Sequence, residues 1–257
     1  SLRVARGTIH AIVGENGAGK STLMNMLYGY LRADAGEIRV GGRAVAIASP
    51  RDAMRHGIGM VHQHFMLVDT FTVLENVLLG AEGGVTLRRG VERARAELGR
   101  LEREFGLEVD LDRPVGDLPV GARQRVEILK ALYRGADLLI LDEPTGVLTP
   151  QEADHLFRVL RALTAGGRTA VVITHKLREI MELTDAVTVM RAGRVVAERA
   201  TAATSREELA ERHRAEAQVW REVRDTAQGR EVAPLVIRVD AGQDIGEQLR
   251  AARQATG

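Results

Sequence analysis

The nine residues Gly14-Glu15-Asn16-Gly17-Ala18-Gly19-Lys20-Ser21-Thr22 constrain this chain more than any other stretch. They match G-x-x-x-x-G-K-[ST], the pattern of a phosphate-binding loop. Each part has a physical reason. Glycines let backbone N–H groups curl around an anion without Cβ clashes. Lys20 reaches toward β- and γ-phosphates, and the Ser21 hydroxyl is placed to ligate Mg²⁺. Residues 8–13 read as a strand and residues 21–27 as a helix closed by Gly29, so the helix N-terminus adds its partial positive charge to the cradle. A chance Gly-rich turn would lack this strand and helix. Gly14, Asn16, Gly17, Ala18, Gly19, Lys20, Ser21 and Thr22 are therefore the candidate phosphate-binding residues.

The 257 residues suffice for one large or two small domains. Thirty-six Lys and Arg against 35 Asp and Glu leave a net charge of +1, which gives no electrostatic case for nucleic acid as a partner. With no cysteine, disulfides and thiolate metal sites are excluded. No apolar run approaches the ~20 residues of a membrane span, and no signal peptide is visible. The abrupt start at Ser1, already in a strand leading to the loop, is expected to reflect truncation.

Further along, residues 37–47 read as a strand pair turning at Gly41-Gly42. Ser49-Pro50 opens a short helix closed by Gly57, and Thr72-x-x-Glu75 is a capping box. Residues 88–105 are strongly helical, with Val91, Leu98, Leu101 and Phe105 on one face. Leu138-Leu139-Ile140-Leu141 reads as a parallel strand covered on both faces. Thr149, Pro150 and Glu152 start another helix. Residues 170–174 form a buried strand, and residues 186–190 and 195–198 flank a turn. Strands alternating with helices predict an α/β fold with a mostly parallel sheet. After about Ser205 charge rises; residues 206–224 read as a helix with a thin apolar face, and the architecture has no evident use for the segment.

The apolar run ends in Asp142-Glu143: one carboxylate to hold Mg²⁺ through water, the next to orient and polarise an attacking water. Between this pair and the phosphate loop lies Leu118-Pro119-Val120-Gly121-Ala122-Arg123-Gln124-Arg125. The segment resembles the signature of ABC-type ATPases, ordinarily L-S-G-G-Q before a basic helix. Gln63 resembles the Q-loop glutamine, Val147-Leu148-Thr149-Pro150 falls at the D-loop, and His175 resembles the switch histidine. The likeness runs from about Thr8 to Thr204. Residues 59–67 and 126–132 are similar to the first cassette of bacterial importer ATPases for simple sugars or nucleosides.

The resemblance implies a P-loop NTPase fold over residues 1–204, truncated at its N-terminus, with an inserted helical subdomain at about 64–134 and a partial antiparallel β subdomain. Residues 205–257 are left as a tail of unknown role. It implies ATP hydrolysis with Glu143, His175 and Lys20 as catalytic residues. Ser21, Gln63 and Asp142 would serve Mg²⁺, and Gln63 and Gly121 would contact nucleotide. It also implies a peripheral position on the cytoplasmic membrane face, driving solute import. The partners would be an integral membrane permease gripped near residues 63–72 (Phe65, Met66, Leu67, Phe71), a second cassette packed head to tail, and, indirectly, an extracytoplasmic solute-binding protein. The solute itself is not readable.

Three departures from the family pattern stand out. Pro119 replaces the signature serine, so weaker contacts to a partner's phosphate are expected. The upstream strand and adenine-stacking aromatic are missing, which puts the antiparallel subdomain in doubt. The tail does not resemble a linker to a second cassette. A non-transport ABC ATPase would show coiled-coil insertions or basic extensions, and neither is visible. A nucleotide-binding module with impaired hydrolysis is the other alternative, favoured by Pro119 and the missing upstream region. His62 and His64, sharing one strand face, could form a metal pair but lack a third ligand. His10, His56, His155 and His213 read as surface or packing residues, the methionines as core or interface filler, and Trp220 has no assigned role.

Overall fold

The computed structural model describes residues 1–62, 65–80, 87–201 and 235–239. The elements run in the order β1 (Leu2–Val4), β2 (Ile9–Val13), α1 (Lys20–Tyr28), β3 (Gly36–Val40), β4 (Arg43–Val45), α2 (Pro50–Arg55) and β5 (Ile58–Val61). Then come α3 (Val73–Leu78), α4 (Leu87–Phe105), α5 (Val120–Tyr133), β6 (Leu138–Asp142), α6 (Pro150–Ala165) and β7 (Thr169–Ile173). The last are α7 (Leu177–Leu183), β8 (Ala186–Arg191), β9 (Arg194–Ala200) and β10 (Leu235–Val239).

Local chemistry accounts for the helix ends. Ser49 accepts a hydrogen bond from the Asp52 amide with Pro50 in the first turn of α2. Thr72 with Glu75 and Thr149 with Glu152 form complete capping boxes on α3 and α6. Gly29 closes α1 in the left-handed region at φ 84°, where an added Cβ would lie 2.4 Å from the Ser49 backbone.

Six strands form one sheet in the order β5-β6-β7-β2-β8-β9, parallel except for the β8–β9 hairpin. Side chains alternate across it with period two. Leu139 and Leu141 of β6 and Ala170 and Val172 of β7 face one apolar core with Leu98, Leu101, Val126 and Leu129 of α4 and α5. Ile140, Val171 and Ile173 face the other, with Met24 and Leu27 of α1. Burial on both faces explains the unbroken apolar run of β6, each such side chain contributing about 2 kcal/mol. The helices α3, α4 and α5 pack on one another.

The second sheet is antiparallel, in the order β1-β10-β3-β4. Here the structure corrects the sequence reading. Residues beyond Ser205 do have a use, because β10 inserts between β1 and β3: Ile237 is opposite both Leu2 and Ile38. The antiparallel subdomain is thus a four-stranded sheet completed from the tail. Its pairing partners lie some two hundred residues away, and loop closure over that distance costs little more than over half of it. The helix expected at 206–224, together with His64, His213 and Trp220, lies outside the described residues.

Candidate nucleotide site

Parallel pairing brings the critical residues to one edge. Ile12 of β2 and Asp142 of β6 are both opposite Ile173 of β7, so the segments following these three strands emerge side by side. Open α/β sheets bind ligands at this carboxyl end. After β2 the phosphate loop turns into α1, which starts at Gly19 with no side-chain cap, leaving its first-turn amides for an anion. Lys20 folds back over the loop, its Nζ donating to the carbonyls of Gly14 at 2.8 Å and Glu15 at 3.0 Å. Gly14 has a steric reason too: an added Cβ would lie 2.3 Å from the Met190 carbonyl oxygen. The β8–β9 turn buttresses the loop from behind, Gly193 N–H donating to the Ala18 carbonyl at 3.0 Å.

β6 ends at Asp142 and is followed by Glu143, and two residues after β7 comes His175. The His175 Nδ1 and Glu143 Oε1 atoms are 2.8 Å apart, with the histidine side chain largely exposed and the glutamate mostly covered. A ring N–H at Nδ1 donates to the carboxylate and leaves Nε2 facing outward. The Asp142 carboxyl is pushed above its usual range, first by burial and then by neighbouring Glu143, while Lys20 pulls it back. A cation beside it would hold it ionised. Among the described residues no cluster of three or more His, Asp or Glu could hold a metal ion. One hydroxyl, Ser21, and one carboxylate, Asp142, instead suit Mg²⁺, which takes most of its ligands from phosphates and water. Gln63 follows β5, the strand paired with β6, but lies outside the described residues, as does His64.

The signature segment enters α5 with Pro119 at the N-cap, backbone extended and no side-chain cap. Gly121 was expected to offer its N–H to a phosphate. Here that N–H donates to Glu152 Oε1 at 3.1 Å, while Glu152 Oε2 closes the capping box of α6. Arg123 fastens the preceding loop, donating to the carbonyls of Leu118 and Gly116. Gln124, buried, donates to the Pro144 carbonyl at 2.6 Å and so ties α5 to the turn after Glu143. Apart from the α6 capping box, none of these contacts was legible in the sequence, because each joins residues 5 to 31 positions apart through chemistry that any polar residue offers.

On the other side of α5 lies a cleft of about 270 Å³ lined by Tyr28, Tyr30, Met54, His62 and Met66. The aromatic rings stand edge-on, Tyr28 5.3 Å from Tyr30 and 6.0 Å from His62. Glu127 and Lys130 of α5 clamp the Met66 backbone, the carboxylate accepting its N–H at 2.7 Å and the ammonium donating to its carbonyl at 2.9 Å. Burial raises the Glu127 pKa and lowers that of Lys130. Met66 is 59% exposed and Phe71 38% exposed.

A family model described as "ABC transporter" matches residues 1–146, more than half of the chain. The chain is 50% identical over 196 residues to the nucleoside import ATP-binding protein NupA of Lactococcus lactis, covering 76% of this chain and 39% of that protein. It is 45% identical over 261 residues to the glucose import ATP-binding protein TsgD13 of Haloferax volcanii, covering 91% and 46%. It thus spans less than half the length of these relatives. Among solved structures, cbiO1 from Clostridium perfringens superposes with a TM-score of 0.69 at 28% identity, covering 82% of this chain and 83% of that one. The ATP-binding cassette MJ0796, described as dimeric in a post-hydrolysis state with ADP and Pi, superposes at 0.63 with 25% identity, covering 78% and 88%.

Proposed function

Because this chain belongs to the ABC transporter family, we propose that it binds and hydrolyses ATP to drive import of simple sugars or nucleosides through a membrane permease. The observation that carries the catalytic part is the Glu143–His175 contact at the strand ends beside the phosphate loop. Glu143 polarises the attacking water, His175 steadies the carboxylate and turns Nε2 toward the γ-phosphate, and Lys20 shifts from loop carbonyls to phosphate oxygens. Mg²⁺, held by Ser21 and Asp142 with Gln63, would neutralise charge on the phosphates. The relatives named for nucleoside and glucose import suggest the solute class. No helix of the described residues is long and apolar enough to cross a membrane. The cleft of Tyr28, Tyr30, His62 and Met66 is the proposed permease dock, at the cytoplasmic membrane face, and the signature end of α5 is the proposed contact with a second cassette.

One experiment on the chain with its permease tests both parts. Glu143→Gln should retain ATP binding and lower turnover by about a hundredfold or more. Met66→Asp should release the chain from permease-containing membranes while ATP binding persists. Parent-rate hydrolysis by Glu143→Gln would refute the assigned base, and full membrane retention of Met66→Asp would refute the dock.

A further inference from the structure

Glu143 is held at φ 47°, a left-handed conformation that side chains rarely adopt. Such a residue persists only where its surroundings over-determine it. Its own amide donates to the Ile173 carbonyl at 2.9 Å, and its carbonyl accepts the Gly146 amide at 3.1 Å. His175, mostly exposed, has little packing to fix it. What joins the two turns is a carboxylate that no motif includes: Glu179 on α7, 6% exposed.

Glu179 Oε1 accepts a hydrogen bond from the Thr145 hydroxyl, two residues after Glu143. Its Oε2 accepts from the Thr174 hydroxyl at 2.8 Å, one residue before His175. Each hydroxyl is also an acceptor. Lys176 Nζ donates to Thr145 Oγ1 at 3.0 Å, and the Lys176 amide donates to Thr174 Oγ1 at 3.1 Å. Lys176 Nζ also donates to the Thr145 carbonyl at 3.0 Å and lies 3.3 Å from Glu179 Oε1, balancing the buried charge. No buried side-chain atom of this knot lacks a partner, and its two hydroxyls lie within two residues of Glu143 and His175 in the chain. We propose that Glu179 is a positioning residue: it locks the turn carrying Glu143 to the turn carrying His175 and so fixes their separation. The inference rests on the catalytic reading of Glu143 and His175, but its structural half is measurable without turnover.

The test compares Glu179→Leu, Glu179→Gln and Thr145→Val in the full chain, with turnover expressed per ATP bound so that misfolded protein does not count. Glu179→Leu should lower kcat by about tenfold or more, the scale of a catalytic group displaced by an ångström or less, with KM for ATP within about twofold. Glu179→Gln, which keeps polar atoms at both positions, should recover most of the loss. In parallel, hydrogen exchange of the Glu143 and Gly146 amides should speed up in Glu179→Leu while the Leu23 amide of α1 stays protected. Should Glu179→Leu fold poorly, Thr145→Val removes one hydroxyl and should show the same exchange change on a smaller scale. Parent turnover per bound ATP, or unchanged exchange at Glu143 and Gly146, would overturn the proposal. If Glu143→Gln itself hydrolysed at the parent rate, the catalytic reading would fall while the exchange result still decided the positioning role.

Discussion

His10 shows how a residue with no part in the chemistry shapes behaviour. It sits on β2, 1% exposed, with Nε2 2.7 Å from the Thr188 hydroxyl of β8. Burial lowers its pKa from 6.5 to about 4. Between those values the unfolded chain binds the proton and the folded chain does not. Its contribution is therefore fully present above about pH 6.5 and is lost as pH falls toward 4. The size is up to about 3 kcal/mol. His10→Gln keeps a hydrogen-bonding group without the titration, so the fall in stability between pH 6.5 and 4 should flatten by that amount in urea titrations; an unchanged acid limb would contradict it. At this scale the sequence was uneven. The phosphate loop was readable because its nine residues do their work as neighbours. His10 could be placed only as surface or packing, and Glu179, Gln124 and Glu152 were invisible as linkers, because burial and partners are set by segments far apart in the chain.

Elements follow the same division. The two capping boxes, the Pro50 helix start and the both-faces-buried β6 were legible, since each depends on spacing within one turn or one strand. The antiparallel sheet was not. Its last strand in sequence comes from the tail, and nothing local to residues 235–239 announces that β1 and β3 leave a slot there. Ile237 lies opposite Leu2 on one side and Ile38 on the other. Proline at that position removes a ladder donor and clashes inside a central strand. Ile237→Pro should lower Tm by about 4 °C or more and raise amide exchange at Leu2–Val4 and Gly36–Val40, while β6 and β7 stay protected. Unchanged exchange in β1 and β3 would mean that β10 does not hold them together in solution.

Across the whole molecule, α5 links three separate segments. Its far end clamps the Met66 segment through Glu127 and Lys130, its flank is tied to the turn after Glu143 through Gln124, and its start is tied to α6 through Gly121 and Glu152. The exposed start, with Val120 38% and Val147 of the neighbouring turn 63% exposed, is the surface proposed to meet a second cassette. A γ-phosphate arriving there finds two deficits: Pro119 has no hydroxyl, and the Gly121 N–H already serves Glu152. Glu152→Gln separates these effects. Its single carbonyl oxygen can still close the α6 capping box but cannot also accept from Gly121, so that N–H becomes available. Pro119→Ser supplies the hydroxyl, and one hydrogen bond to a charged group is worth about 1.5–3 kcal/mol. In a Glu143→Gln background, where hydrolysis cannot undo association, the parent should stay mainly monomeric with Mg-ATP. Pro119→Ser and Glu152→Gln should each tighten ATP-dependent dimerisation by about tenfold, and the double variant should do so more strongly, as read by light scattering with and without Mg-ATP. A stable ATP-driven homodimer of the parent, indifferent to both changes, would show that neither the missing hydroxyl nor the occupied amide limits the contact.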